Sequence, residues 1–534
     1  MDKIKVHENN IRWIKIPPDI IILRTIGVIM IYFSLQTVLC QSGYNITYDT
    51  GVALRILSIE SNEDNIYLSG FYRKSETEHQ SGFVVSIDTL GIIQWWSEIK
   101  DDSSSITKSI ESGISLSSNY SIALPFGYFN RPSFVMAIID SLGVIESIQE
   151  YPQDSASVTS PTDIIETSNG YLITGWASKP PHYRTDAFIL KTDKIGNQQW
   201  LRFVGHSVYE ENARTITKVN SNFYVISGTR FQRDIEPTFS YGWAYAFDSL
   251  GTQIWDWVAD PDELPHRGIM SMQYDVLNHD WVYFTFFEKN VFIEELGLEV
   301  EMMLPVFVRR DSIMNFISYN EFGPYAFNHY MGVLETSLDG CWIAAGNTTC
   351  FSEDHPTNCS QESGRIIKLS YNDTLEWSVI DTAFFHPELG SRSYLRGVTE
   401  SPSGSIYAVG WANNYDENEV YRSYGWLLKI TKDGCVGTLC TTSSLIRQIQ
   451  DRESKVKVYP NPASDYLTIL LADDILNPAY IELYDLTGNR LIRQIVQHGT
   501  QSINLEMATN GILLWRILNR TGLPLASGKV LVEK

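Results

Sequence analysis

The sequence lacks the common catalytic signatures. Its 534 residues contain no His-Glu-x-x-His, no Gly-x-Ser-x-Gly and no Gly-x-x-x-x-Gly-Lys-Ser/Thr. That absence removes the usual zinc-peptidase, serine-hydrolase and nucleoside-triphosphatase readings. Positive charge is short as well. Lys and Arg number 41 against 63 Asp and Glu, a formal net charge of −22. A surface this acidic disfavours nucleic acid and anionic membranes as partners. Cysteine is sparse, six in all, and its spacing is not that of a zinc site. No long apolar stripe of 3.6-residue period follows the N-terminal stretch, so long amphipathic helices are not expected.

Aromatic residues, by contrast, make up 12% of the chain, with 14 Trp and 29 Tyr. Many short apolar runs end in Gly, a β pattern rather than an α one. A chain of this length exceeds a single hydrophobic core unless that core is built from repeats.

The stretch Tyr171–Gly205, YLITGWASKPPHYRTDAFILKTDKIGNQQWLRFVG, shows the repeating unit. Four strands are expected in it, at Asp163–Glu166, Tyr171–Trp176, Ala187–Thr192 and Gln198–Val204. The turn after the third strand recurs at Gly91, Gly143, Gly196, Gly251, Met314, Asp373 and Gly434. Seven units at a spacing of about 50 to 65 residues point to a propeller or an array. Four short antiparallel strands make one blade, and stacking the blades in a ring supplies the core. The seventh unit lacks a fourth strand. The unassigned extended segment Asn45–Asp49 is expected to supply it and so close the ring without an open edge. The units resemble the degenerate β-propeller repeats of secreted bacterial proteins. Lys191, Asp193, Gly196, Asn197 and Trp200 carry that resemblance over about residues 45–440. The fold class is therefore read as all-β: a seven-bladed β-propeller at 41–440, then a small Ig-like β-sandwich.

Residues 1–40 read as a signal peptide: Lys3, Lys5, Arg12 and Lys15, then an apolar core, then Val38 and Cys40 before Gln41. No transmembrane span is then expected in the mature protein. Lipidation of Cys40 is a second reading, opposed by Leu39 before it. Export implies an oxidising compartment. Cys350 with Cys359, and Cys435 with Cys440, are the disulfide candidates, and Cys341 is expected buried and free.

Long loops between second and third strands, at Ser178–Thr185, Phe231–Ser240, Thr349–Ser363 and Ala412–Tyr424, share a face with the links between blades. Recognition is expected there. Counted from the start of each innermost strand, Arg55, Lys108, Asp163, Arg214, Arg267, Met331 and Arg396 fall in register. Arg55, Lys108, Arg214, Arg267 and Arg396 would then ring the channel mouth and suit an anion such as an acidic or sulfated glycan. The competing reading pairs each with a neighbouring carboxylate, such as Glu211 or Glu263. Trp176, Trp243 and Trp411 lie near this face, for packing or for stacking sugars.

No catalytic residue is assigned. His182, His206, His266, His329 and His386 are scattered. The acidic links Glu210, Glu211, Asp260, Asp262 and Glu263 permit either a glycan-cleaving pair or a solvated face. No metal or other cofactor is called for by a motif. Asp416, Glu417 and Glu419 leave Ca²⁺ open, without EF-hand spacing. The Asp-Ser/Thr-apolar triplets at Asp88, Asp140, Asp248 and Asp311 resemble O-glycosylation sites but coincide with the repeat turns, where Asp and Ser are favoured anyway.

At Thr441 the composition changes. Residues 441–455 read as a polar linker, and 456–534 as a sandwich. This tail resembles the type A C-terminal sorting domain of the Bacteroidetes type IX secretion system. Tyr459-Pro460-Asn461-Pro462, the Ile481–Gly488 segment, Asn510-Gly511 and the terminal Gly528-Lys529-Val530 carry the match, with Leu513 where the family commonly has Tyr. The resemblance implies export by the type IX translocon, removal of the domain by a sortase-like peptidase, and cell-surface attachment or release. The function expected is binding or adhesion, to a glycan or a protein ligand. A glycan-cleaving enzyme and a passive surface scaffold are the alternatives.

Overall fold

The computed structural model describes the chain outside residues 1–2, 8–10, 16–42, 63–64, 76, 102–103, 108–112, 118–120, 129–130, 153–155, 157, 180–183, 207, 233–238, 261, 265–266, 294–296, 350–360, 385–391, 416–419, 437–455, 461, 472–478, 485–489, 497–498, 506–509, 519–523 and 534. The described residues form strands and turns, with no helix. Contacts divide the chain into Met1–Thr438 and Leu439–Lys534.

In the first part, strand pairing gives seven four-stranded antiparallel sets, here called blades. Blade 1 is Ala53–Ser61, Ile66–Arg73, Ser81–Ile87 and Ile93–Ile99. Blade 2 has a broken inner strand (Ile106–Thr107 and Ser115–Leu116), then Ile122–Tyr128, Ser133–Ile139 and Ile145–Pro152. Blade 3 is Val158–Thr167, Gly170–Lys179, Arg184–Thr192 and Gln198–Val204. Blade 4 is Glu210–Asn220, Phe223–Gln232, Phe239–Phe247 and Gln253–Val258. Blade 5 is Arg267–Asp275, Asp280–Ile293, Leu298–Arg310 and Phe316–Glu321. Blade 6 is Tyr330–Thr336, Trp342–Thr349, Glu362–Leu369 and Leu375–Asp381. Blade 7 is Arg392–Glu400, Ile406–Tyr415 and Tyr421–Ile430, completed by Tyr44–Tyr48.

That last pairing closes the ring. Tyr44–Tyr48 runs antiparallel to Tyr421–Ile430, Tyr44 opposite Lys429 and Tyr48 opposite Gly425. The N-terminal strand thus supplies the outer edge of blade 7. Single parallel bridges, Glu362 to Arg392 and Ser423 to Ala53, link blades 6, 7 and 1 at one end.

The repeat turns explain how blades stack. All seven positions read from the sequence have left-handed backbones: Gly91, Gly143, Gly196, Gly251 and Gly434, with Met314 (φ 72°) and Asp373 (φ 62°) in blades 5 and 6. In the first five turns an Asp three residues earlier caps the turn, and in the last two Ser370 and Thr431 stand there; Asp88 Oδ1 accepts from the N–H groups of Leu90 and Ile92, both at 2.9 Å. The outer strand of the preceding blade then grips the turn. Trp95 Nε1 donates to Ser141 O at 3.1 Å, Tyr151 Oη to Gly196 O at 2.6 Å, and Arg202 Nη2 to Leu250 O at 2.9 Å. At the closure Tyr48 Oη donates to Gly91 O at 2.8 Å. The turn glycine answers to both demands. At Gly143, φ is 85° and a Cβ would lie 2.7 Å from the Trp95 ring.

The cores lie between blades. One cluster joins Ile46, Leu54, Ile56 and Phe83 with Tyr407, Val409 and Leu427, across the closure. Inner strands are also tied laterally: Thr162 Oγ1 donates to Ala213 O at 3.0 Å and Thr217 Oγ1 to Met272 O at 2.7 Å. These contacts hold the inner strands, and hence the channel lining, in place.

The tail is a β-sandwich. Val456–Tyr459, Tyr466–Leu471 and Gly499–Asn504 form one sheet; Arg490–Val496, Ala479–Tyr484, Gly511–Leu518 and Pro524–Val532 form the other, in that order. Leu467, Ile469, Ile481, Leu483, Ile503, Leu513 and Ile517 fill the space between them. Leu513 is 3% exposed, so a Leu serves as core where an aromatic was expected.

The N-terminal stretch contains a hairpin, Lys3–His7 with Ile11–Lys15. The apolar segment of the expected signal, and Cys40, lie outside the described residues. No helix among the described residues is long and apolar enough to cross a membrane.

Candidate functional site

Bulges in the inner strands revise the register of the cationic positions. The extra residue in the inner strand is Leu57 in blade 1, Thr162 in blade 3, Arg214 in blade 4, Gly332 in blade 6 and Arg396 in blade 7. Arg214 and Arg396 are therefore equivalent. Arg55 stands two residues before its bulge, and Arg267 opens a longer irregularity running to Ser271. Asp163 follows its bulge and Met331 precedes its own. The basic residues do not form one level ring. A bulge inserts a residue without any mark in the sequence spacing. Lys108 lies outside the described residues.

Two of the five do come together. Arg55 in blade 1 and Arg396 in blade 7 both sit against Trp411, their guanidinium carbons 5.0 and 4.9 Å from its ring centre. Phe71 lies 5.7 Å from the Arg55 guanidinium carbon. Tyr330 and Tyr394 lie 5.4 and 5.5 Å from that of Arg396. Arg396 is anchored: Nη1 donates to Asn347 Oδ1 (3.2 Å) and Leu395 O (2.9 Å), and Nη2 to Tyr330 Oη (2.6 Å). The Nε atoms of both arginines are buried without a hydrogen-bond partner. Neither has a carboxylate partner among the described residues. Burial lowers the pKa of Arg55; Tyr394 and Tyr421 oppose that shift and Arg396 adds to it. Like charges are thus held together at some cost.

The other two described arginines differ. Arg267 Nε lies 2.5 Å from Glu288 Oε2, a structural pair. Arg214 is half-buried at its bulge. The carboxylates offered as alternative partners are engaged elsewhere. Glu211 lies 2.8 Å from Arg230 Nε, and Glu263 lies 2.6 Å from Arg310 Nη2. Burial pushes the Glu211 carboxyl up to about 7, against the pull of Arg230. Asp260 spends its carboxylate on the Asp262 N–H at 2.9 Å. Of these link residues, Glu211 and Glu263 are held in ion pairs and Asp260 in a turn.

Among the histidines, His329 is buried, its Nδ1 3.0 Å from Pro324 O and its Nε2 2.5 Å from Arg365 Nη1. An acceptor on one side and a donor on the other fix the tautomer: Nδ1–H donates to the Pro324 carbonyl and Nε2 accepts from Arg365. Burial, then Arg365, lowers its pKa to about 3, so it stays neutral. His206 is exposed, and His182, His266 and His386 lie outside the described residues. Trp243 (0% exposed) and Trp411 (5%) pack inside, and Trp176 is half-buried.

Further along the inner strands, acidic residues replace basic ones. Glu60 and Glu335 each lie three residues past the bulge, in blades 1 and 6. Burial and then Asp163 push the Glu60 carboxyl up to about 7. Burial, Glu60 and Asp163 push Glu335 well above the carboxylate range. Asp163 itself is bound by the N–H groups of Ile164 (2.8 Å) and Ile216 (2.9 Å). Among the described residues no group of three His, Cys, Asp or Glu is arranged to hold a metal ion. Asp416, Glu417 and Glu419 lie outside them.

Sequence reading missed the tyrosines around this corner. Tyr421 is 50% exposed and its ring centre lies 5.2 Å from that of Tyr415. Tyr421 acts on the charges of Arg55 and Arg392. Tyr394 bonds Glu362 and Arg392. The available signal was a tyrosine at each end of the variable segment between the second and third strands of blade 7. Cys341 (7% exposed) and Cys435 are free thiols. Cys350, Cys359 and Cys440, the remaining members of the expected pairs, lie outside the described residues.

In the tail, Tyr459-Pro460 is a cis bond. Gly511, with φ 134°, opens a strand, and Gly528 and Lys529 lie in the last one. Pro462 precedes Ala463, whose backbone N–H donates to Leu531 O at 2.8 Å. Asn461 and Gly488 lie outside the described residues. Residues 457–533 match the family described as a secretion system C-terminal sorting domain.

The tail is a type IX sorting domain.

The sorting domain directs the protein out to the cell surface or the extracellular space. No curated protein matches the sequence. Among solved structures, the full extracellular region of plexin A4 is similar at 8% identity, with 91% of this chain and 68% of that one covered and a TM-score of 0.43. The polysaccharide lyase Uly1 is similar at 9% identity, covering 72% of this chain and 92% of its own, with a TM-score of 0.41. A neuraminidase-like protein of a flat-faced bat isolate is similar at 9% identity, covering 72% and 99%, with a TM-score of 0.36. Such likenesses say nothing about activity.

Proposed function

We propose that this protein is an exported surface-binding propeller that takes an anionic ligand at the channel mouth, between blades 6, 7 and 1. The observation that carries this is the Arg55–Trp411–Arg396 cluster, two guanidiniums sharing one indole with no carboxylate beside either among the described residues. A buried cation without a counter-charge is costly, and an incoming anion relieves that cost. The variable loops share this face, where recognition segments collect. The sorting domain would deliver the propeller through the type IX translocon, and a sortase-like peptidase would then remove it.

The enzyme reading has less support, since the acidic links are consumed by ion pairs and turns. A thermal-shift screen of the full chain against neutral and acidic glycans, with and without calcium, tests the binding reading. Stabilisation by acidic glycans that fades with salt is expected. Release of soluble products from a polysaccharide would instead establish an enzyme, and no shift with any anion would overturn the reading.

A further inference from the structure

We propose, resting on the binding reading above, that the ligand is an acidic polysaccharide, held by one uronate or sulfated sugar whose ring lies on Tyr421 and whose anionic group meets Arg55. Tyr421 is the half-exposed aromatic of this corner, backed by Tyr415 at 5.2 Å. An exposed, braced phenol ring offers an apolar face for the C–H groups of a sugar and a hydroxyl for its polar edge. Trp411 does not serve this purpose. It is 5% exposed, and two guanidiniums occupy its surroundings.

The charges beside Tyr421 sort themselves. Arg392 is coupled first to Glu362, which also accepts from Asn328 Nδ2 at 2.9 Å. Arg396 spends its terminal nitrogens on Asn347, Leu395 and Tyr330. Arg55 alone among these three makes no side-chain hydrogen bond among the described residues, and its Nε is buried without a partner. The Ser423–Ala53 bridge places its strand beside that of Tyr421. A planar guanidinium suits the paired oxygens of a carboxylate or sulfate.

The channel below sets the ligand's path. Glu60, Glu335 and Asp163 crowd one another there, and burial pushes the first two towards their neutral forms, so the way inward offers an anionic chain no counter-charge. The polymer therefore lies across the mouth, with its acid group stopped at Arg55. Recognition then needs both an anion and a sugar face, which separates the ligand from free phosphate or sulfate.

The test is calorimetric titration of the full chain with a uronate oligosaccharide, its neutral glucose counterpart and inorganic sulfate. Unchanged melting temperature and near-ultraviolet dichroism would show that each variant is folded. The uronate oligomer should bind and the neutral one should not. Tyr421→Ala should weaken the uronate oligomer about tenfold while leaving sulfate unchanged, and Tyr421→Phe should restore it. Arg55→Gln should weaken both acidic ligands, by about a hundredfold for the oligomer. Sulfate bound through Arg55 as tightly as the uronate oligomer, or Tyr421→Ala without effect, overturns this inference but leaves the anion reading standing. No binding of either acidic ligand overturns both.

Discussion

Two buried guanidiniums in this propeller have opposite surroundings. Arg309, in blade 5, is clamped by Asp373 through Nε (2.7 Å) and Nη2 (2.6 Å), and by Asp275 through Nη1 (2.6 Å), with Asp280 at 3.4 Å. Burial opposes its charge, but the hydrogen bonds to Asp373 and Asp275 outweigh burial and raise its pKa. Arg55 is less buried, has no carboxylate, and has its pKa lowered first by burial. The first arrangement spans two blades and is complete, as a structural link should be. The second is incomplete, and a ligand can complete it. Burial alone therefore does not separate the two arginines; the state of the counter-charge does.

Breaking the complete cluster should have the largest effect. Arg309→Ala strands three acidic groups and should cost roughly 3–5 kcal/mol in denaturant unfolding. An unfolding midpoint close to wild type would dissolve the contrast. Next comes the turn grip. Gly143→Ala forces a left-handed alanine against Trp95 and should cost roughly 1–3 kcal/mol, read as a lowered melting temperature. The third test uses pH. His329 titrates near 6.5 when unfolded and near 3 when folded, so the unfolded chain binds more protons between those values. Its contribution to stability is present above pH 6.5 and is lost as pH falls towards 3. His329→Gln should flatten the stability–pH slope in that window, and an unaltered slope would show that other groups set it. The smallest effect belongs to Arg55→Ala. It removes a contact to Trp411 but relieves the crowding with Arg396, so stability should change by less than about 1 kcal/mol. A loss as large as that at Arg309 would make Arg55 structural too.

Much of the fold could be read because its determinants are local. A left-handed backbone after the third strand favours Gly, and an Asp, Ser or Thr sits three residues before it, so each turn is marked. Even Met314 and Asp373, which break the Gly pattern, were found through spacing and hold φ values of 72° and 62°. The closing strand was legible because the seventh unit was one strand short and Asn45–Asp49 was an extended segment left over; the observed strand is Tyr44–Tyr48. The site was less legible because its determinants are not local. The bulges at Leu57, Arg214 and Arg396 shift residues without altering the pattern of types. Arg55 meets Trp411 and Arg396 only through ring closure, which joins segments more than 300 residues apart in the chain. Glu211 and Glu263, the expected partners, are drawn to Arg230 and Arg310, on strands that carried no such signal.

The most direct test is a crystal of the full chain soaked in selenate, read by anomalous scattering. The expected result is a selenate peak within hydrogen-bonding distance of the Arg55 guanidinium, on the Arg396 side, lost in the Arg55→Gln variant. A site still empty at saturating selenate, with Arg55 turned onto a carboxylate, would contradict the claim that the channel mouth is built for an anion.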